Sequence, residues 1–184
     1  GGDGPTHHGL FDIGYLRHVP NIVHMQPIDE DEFTDMLWTM AQHEEGPIAI
    51  RYPRGVGTGA QPKENPRLLE IGKGELVKDG TDVAIIGLGF VHDLAVEASE
   101  ELEKQGYSVA LVNPRFIKPL DEGLIIDVAK RCKVEEGGFV VHTDVGHGLG
   151  YQTAVFGQGG EQTRCAVGDR DQRGQARGSP RSDL

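Results

Sequence analysis

The chain has 184 residues and a mass of 20.0 kDa, which is enough for one ordinary domain or two small ones. Its 29 acidic and 18 basic residues give a formal net charge of −11, so nucleic acid and anionic membranes, which are negatively charged themselves, are unfavourable partners. No apolar run approaches the roughly 20 residues that span a bilayer, and the first residues do not resemble a secretory signal.

The two cysteines, Cys132 and Cys165, fit neither a disulfide framework nor a zinc site and favour a reducing compartment. Because the first residue is Gly1 and not Met, we expect the chain to begin within a longer protein. Residues 144–184 contain five acids and five arginines, so the whole net charge lies in residues 1–143. Only five apolar residues lie between positions 157 and 184, so we predict that residues 144–184 are a disordered tail.

Short strands and helices alternate in the first third of the chain. A short helix is predicted over residues 10–19, and strands are predicted over residues 21–25 and 48–52. The strongest helix signal begins at Asp29, which stands three residues before Glu32 as in a capping box. One apolar stripe at helical spacing follows it: Phe33, Met36, Leu37, Met40 and Ala41.

A second unit follows residues 55–67, which carry Gly, Pro, Lys and Asn with almost no apolar content and therefore predict a linker. The elements predicted beyond it are a strand at 82–87, a helix at 92–105, a strand at 108–113, a helix capped by Asp121, and a strand at 139–141. Such alternation with short connections predicts right-handed crossovers and a parallel sheet. The fold class is therefore α/β, with two three-layer domains over residues 1–54 and 68–143 and mainly parallel sheets.

The segment Gly87-Leu88-Gly89-Phe90 lies between a predicted strand and a predicted helix, where a dinucleotide-binding turn would stand. Its third glycine position is His92, and the next strand ends in Asn113 instead of the acid that would hold a ribose hydroxyl. We therefore favour a tight strand-to-helix turn over a dinucleotide site.

The loop of residues 3–9 brings together a carboxylate, a hydroxyl and two imidazoles from Asp3, Thr6, His7 and His8. Such a set can bind sugar hydroxyls or transfer a proton near neutral pH. An equally good interpretation is that polar residues simply collect in loops and that Asp3 or Thr6 caps the following helix. Adjacent histidines normally point apart and no third ligand is evident, so no metal site is assigned.

The segment Arg51-Tyr52-Pro53-Arg54-Gly55 lies just past the end of a predicted parallel strand. Ligands in open α/β sheets bind beyond these strand ends, and an arginine there can grip a phosphate or carboxylate with two hydrogen bonds. The competing interpretation is a surface arginine paired with one of the many acids of this chain.

Several blocks of the chain together resemble the 1-deoxy-D-xylulose-5-phosphate synthases, and the resemblance runs from residue 1 to about residue 141. Transketolase shares the Asp-Gly-Pro-Thr-His loop but not the Arg-Tyr-Pro-Arg-Gly block, which makes the resemblance specific. The blocks that carry it are residues 3–9, 11–12, 15–17, 20–21, 27–30, 51–55, 71–74 and 113–121.

This resemblance implies a cytoplasmic, homodimeric transferase that uses thiamine diphosphate and Mg²⁺. Such an enzyme condenses pyruvate with D-glyceraldehyde 3-phosphate, releases CO₂, and serves isoprenoid, thiamine and pyridoxal synthesis. Residues 1–54 would be the end of the pyrimidine-binding domain, and residues 68–143 would be part of the C-terminal domain. In the family, the glutamate that activates the cofactor and the metal-binding motif lie upstream of these blocks. No cofactor or metal ligand is therefore assigned here, and we expect the chain alone to be inactive.

The resemblance also implies roles for three residues. Asp3 and His7 would face the substrate, with His7 bonding to or exchanging protons with the reacting oxygens, and Arg54 would hold the substrate phosphate. Two alternatives remain open at this point. The chain could be a fragment of a transketolase-type ketol transferase, or it could be a non-catalytic α/β module for regulation or oligomerisation.

Overall fold

The computed structural model describes residues 11–132 in full and the backbone of residues 139–143 and 152–156. Asp3 and His7 lie outside the described residues, as do residues 144–151 and 157–184 of the predicted tail. The elements in chain order are α1 (Asp12–Leu16), β1 (Val23–Met25), α2 (Glu30–Gln42), β2 (Ile48–Ile50), β3 (Glu75–Lys78), β4 (Val83–Gly87), α3 (His92–Lys104), β5 (Val109–Asn113), β6 (Phe116–Lys118), α4 (Glu122–Arg131), β7 (Phe139–Thr143) and β8 (Gln152–Phe156).

The second domain is built on a five-stranded sheet in the order β3-β5-β4-β7-β8. Its three central strands, β5, β4 and β7, are parallel, while β3 and β8 are antiparallel at the two edges. The predicted parallel strands joined by helices are confirmed, because α3 connects β4 to β5 and α4 precedes β7. The edge strand β8 lies beyond residue 143, so the sheet includes one strand from the predicted tail.

Helices α3 and α4 cover opposite faces of this sheet. Side chains alternate along a strand, so Val83 and Ile85 of β4 pack with α3 while Ala84 and Ile86 pack with α4. The same alternation holds along β5, and every residue of both strands is buried. The second domain is therefore the three-layer α/β unit that the sequence predicts. Within the described residues, no helix has the length and apolar character to cross a membrane.

The first domain contributes two strands to a small sheet in the order β2-β1-β6. Strands β1 and β2 are parallel, and Val23 and Met25 of β1 pack against Met36 of α2. The third strand, β6, comes from the second domain and runs antiparallel to β1. Phe116 of β6 is fully buried in the same cluster, so the two domains share one sheet and one core.

The two helix starts predicted from capping residues are confirmed. The Asp29 carboxylate accepts a 2.8 Å hydrogen bond from the backbone N–H of Glu32, and Asp121 accepts one of 3.1 Å from Leu124. The Glu32 carboxylate reaches back to the N–H of Ile28 at 2.9 Å instead of to the cap residue itself.

The segment between the domains runs along α2. Asp35, whose side chain is fully buried, accepts hydrogen bonds from Lys63 Nζ at 2.8 Å and from the Arg67 backbone N–H at 2.6 Å. Two residues after Arg67, the N–H of Leu69 donates to the hydroxyl of Thr39 on α2 at 2.9 Å. These contacts fix the path of the chain as it leaves the first domain.

Candidate functional site

The segment of residues 51–59, which we call the Arg54 loop, leaves the carboxyl end of β2. Because β2 is parallel to β1, this is the strand edge at which the sequence predicts a ligand site. The backbone N–H of Arg51 still donates to the carbonyl of Met25 at 2.8 Å, so the loop starts directly from the sheet.

Arg51 is held by an acid of α1. Its Nε lies 2.7 Å from Asp12 Oδ2, and the two side chains are only 9% and 19% exposed. An ion pair with so little exposure is screened weakly by solvent and fixes its partners in place. For Arg51, the interpretation as an arginine paired with an acid is therefore the one that the structure supports.

Arg54 occupies the middle of the loop and is exposed to solvent. On its N-terminal side, the ring of Tyr52 lies 5.2 Å from the ring of Phe33 on α2, measured between centroids. An exposed guanidinium on a stiff loop that contains Pro53 is suited to a two-pronged contact with phosphate or carboxylate.

The C-terminal side of the loop is held by Glu30, in the first turn of α2. One carboxylate oxygen accepts a 2.6 Å hydrogen bond from the hydroxyl of Thr58, and the other accepts a 3.1 Å bond from the N–H of Gly59. These bonds lower the pKa of Glu30, with Thr58 as the larger cause. A Cβ atom on Gly57 would lie 1.6 Å from Glu30 Oε1, so the close approach needs glycine at that position.

A cavity of about 510 Å³ lies between the Arg54 loop, the start of α2 and the second domain, which contributes Phe90 and Asp93. Its size is within the usual range for small-molecule sites. Among the described residues, the acidic lining side chains are Asp29, Glu30 and Asp93, and no basic side chain lines it.

His24 of β1 and Gln26, which directly follows this strand, are completely buried beside the loop. Within the described part of the chain, neither side chain has a hydrogen-bond partner. Burial lowers the pKa of His24, while Asp12 acts to raise it and Arg51 to lower it. The imidazole is therefore held in its neutral form near pH 7.

Gly87, the last residue of β4, and Gly89, two residues later, have a packing role. Gly89 has a φ of +68°, and a Cβ atom built on it would lie 2.1 Å from Gln26 Nε2 in the other domain. A Cβ on Gly87 would lie 2.8 Å from the Cβ of Ala95 on α3. Both glycines permit close approach of neighbouring elements, which agrees with the tight turn that the sequence favours over a dinucleotide site.

Of the three site residues predicted from the sequence, the structure describes only Arg54. It also identifies Asp12 and Glu30 as residues that hold the loop, which the sequence analysis did not predict. Both acids lie in blocks that carry the family resemblance, but their partners are 39 and 28 residues away in the chain. Among the described residues, no group of three or more His, Cys, Asp or Glu side chains could hold a metal ion.

Comparison with known proteins identifies relatives for most of the chain. The family model for the transketolase pyrimidine binding domain matches residues 1–58, and that for the transketolase C-terminal domain matches residues 72–155. The 1-deoxy-D-xylulose-5-phosphate synthase of Acidobacterium capsulatum is 55% identical over 131 residues, which are 71% of this chain and 21% of that protein. The synthase of Methylacidiphilum infernorum is 57% identical over 125 residues, or 68% of this chain and 20% of that protein.

Solved structures agree with these matches. A split-gene transketolase, described as an inactive β4 tetramer, superposes with a TM-score of 0.58 at 26% identity, covering 72% of this chain and 42% of that one. The chain spans about a fifth of the length of the curated relatives named above.

Proposed function

Because this chain belongs to the transketolase-like family, as a segment similar to the 1-deoxy-D-xylulose-5-phosphate synthases, we propose that it is part of such a synthase. The complete enzyme would condense pyruvate with D-glyceraldehyde 3-phosphate, release CO₂ and form 1-deoxy-D-xylulose 5-phosphate. We also propose that it works as a cytoplasmic homodimer, which follows from the family resemblance.

The observation that carries this proposal is the placement of Arg54. Its side chain is exposed at the carboxyl end of a parallel strand, on a loop that is held on both sides. In our proposal Arg54 binds the phosphate of glyceraldehyde 3-phosphate, the part of the substrate farthest from the carbonyl carbon that reacts. Such a remote contact supplies binding energy that orients the reacting carbonyl.

Thiamine diphosphate would supply the carbanion chemistry, and Mg²⁺ would hold its diphosphate. The described residues offer no set of metal ligands, so they do not fit the metal site. We propose that the cofactor and its metal are bound by parts of the protein outside this chain. Asp3 and His7 would face the substrate, with His7 as hydrogen-bond partner or proton carrier for the reacting oxygens.

A chimeric synthase tests this function. Residues 1–155 of this chain replace the matching segment of the Acidobacterium capsulatum relative, and product formation from pyruvate and glyceraldehyde 3-phosphate is measured. We expect turnover by the chimera and none by the 184-residue chain alone, because cofactor activation and positioning are missing from it. A folded chimera that transfers two-carbon units between sugar phosphates instead would indicate a transketolase. A folded, cofactor-binding chimera without either activity would indicate a non-catalytic module.

A further inference from the structure

The Arg54 loop is fixed at both of its ends, and Arg54 lies between the two attachments. Upstream, Arg51 is paired with Asp12 of α1; downstream, Thr58 and Gly59 are bound by Glu30 of α2. We propose that Glu30 is a positioning residue that holds the Arg54 loop in the conformation that receives the substrate phosphate. The identity of the anion in this inference rests on the proposed function, whereas the attachment of the loop to Glu30 does not.

The attachment at Glu30 uses both carboxylate oxygens. Thr58 donates to Oε2 and Gly59 donates to Oε1, so the carboxylate spans two consecutive residues of the loop. The glycine at position 57 admits the carboxylate where any Cβ atom would collide with it. Hydrogen bonds to a charged acceptor are stronger than neutral ones, so this contact restrains the downstream half of the loop.

The charge of Glu30 argues against a direct role in phosphate binding. A carboxylate near an anion site repels the anion, so its removal alone would strengthen phosphate binding. If Glu30 acts by holding the loop, its removal has the opposite effect, because Arg54 loses its fixed position. The sign of the change in phosphate affinity therefore separates the two explanations.

The attachment can be tested on the 184-residue chain by limited digestion with trypsin, which cleaves after Arg54. Loss of hydrogen bonds to a charged group should raise the open population of the loop, and thus the initial cleavage rate there, about tenfold in Glu30→Gln. Thr58→Val should act in the same direction without changing the charge. The control is Glu45→Gln, which removes an exposed acid of the same domain and should leave the rate unchanged. Equal initial cleavage rates after Arg54 in Glu30→Gln and in the unchanged chain would show that Glu30 does not hold the loop.

The positioning role is tested in the chimeric synthase. Glu30→Gln should raise KM for glyceraldehyde 3-phosphate about fivefold while kcat changes by less than about twofold, and Thr58→Val should do the same. Activity with unphosphorylated glyceraldehyde should be unchanged. A KM that stays the same or falls would overturn the proposal. If Arg54→Ala fails to discriminate between the two acceptors, the proposed function fails instead, and the trypsin result still decides whether Glu30 holds the loop.

Discussion

Glu32 and Arg115 lie 83 positions apart in the chain and form an ion pair at the junction of the two domains. Arg115 Nε lies 2.7 Å from Glu32 Oε1, and the side chains are 14% and 7% exposed. The same oxygen accepts a 2.9 Å hydrogen bond from the amide of Asn113. The Arg115 carbonyl accepts from the N–H of Gln26 at 2.9 Å, which supports the unusual φ of +55° at Arg115.

We predict that the ion pair between Glu32 and Arg115 contributes to the free energy of unfolding. Glu32→Gln leaves the nearly buried guanidinium of Arg115 with only one of its two acids, the half-exposed Glu75, so we expect a loss of about 2 kcal/mol in the free energy of unfolding. Urea unfolding of the 184-residue chain, followed by circular dichroism, measures it. The control is Glu101→Gln, whose partner Lys104 is 70% exposed and whose loss should cost at most about 0.5 kcal/mol. Similar losses in both variants would contradict the importance of the junction.

The environment of the Asp35 carboxyl leads us to expect that stability depends on pH. Burial acts to raise the pKa of Asp35, but hydrogen bonds from Lys63 and Arg67 outweigh it and lower the pKa below its usual value. Lys63 Nζ also lies 2.9 Å from Asp31 Oδ2, so the lysine pairs with both acids. A lowered pKa in the folded state contributes stability above the unfolded value of about 3.9 and loses it as the pH falls through the folded value.

We therefore expect Asp35→Asn to be less stable than the unchanged chain at pH 6, with the difference shrinking as the pH falls toward about 3. Thermal unfolding of both proteins across this range measures the difference in stability. Because both proteins contain the same other acids, the titration of those acids cancels in the difference. A difference that stays constant with pH would show that the ion pairs of Asp35 do not contribute to stability.

Gly89 allows a prediction about the contact between the domains. Gly89→Ala adds a methyl group against Gln26 in a left-handed backbone conformation, and we expect it to cost about 3 kcal/mol. Gly106→Ala is the matched control, because Gly106 has a φ of +94° but open space around it, so strain alone should cost about 1 kcal/mol. Truncation by Gln26→Ala should lessen the effect of Gly89→Ala. An equal loss in the free energy of unfolding at the two glycines would contradict a close contact between Gly89 and Gln26 of the first domain.

Local signals in the sequence were sufficient for most helices and strands. Asp29 and Asp121 mark helix starts because a cap depends only on residues within one turn of it. The strands β4 and β5 are recognisable because both faces of a central parallel strand are buried, which requires a continuous apolar run.

Contacts between distant parts of the chain were not predictable in this way. Strand β6 is three residues long and pairs with β1, more than 90 positions earlier, so nothing near Phe116 in the sequence indicates its partner. The same holds for Glu30 and Asp12, whose roles depend on where the Arg54 loop lies in the folded protein. The local pattern of a strand end followed by arginine, proline and glycine predicted an anion-binding segment at residues 51–55. The choice of Arg54 within it came from the family resemblance, and its phosphate-binding role stays a prediction.

His7 provides a prediction about the chemistry of the chimeric synthase. Removal of an acid–base group beside the reacting oxygens typically costs about 10²- to 10⁴-fold in rate, so His7→Ala should slow the carbon–carbon bond-forming step by that order. Single-turnover kinetics measure this step, and cofactor titration and thermal unfolding serve as controls. A lower melting temperature and weaker cofactor binding with an unchanged chemical step would make His7 a structural residue.

Binding of the substrate phosphate by Arg54 is tested most directly by comparing two acceptors in the Arg54→Ala chimera. Loss of a charged hydrogen-bonded contact worth about 3 kcal/mol should lower kcat/KM for glyceraldehyde 3-phosphate by about 10²-fold. With unphosphorylated glyceraldehyde we expect a much smaller loss, since that acceptor has no phosphate for Arg54 to bind. Equal losses with both acceptors would contradict the claim and would make Arg54 a structural residue of its loop.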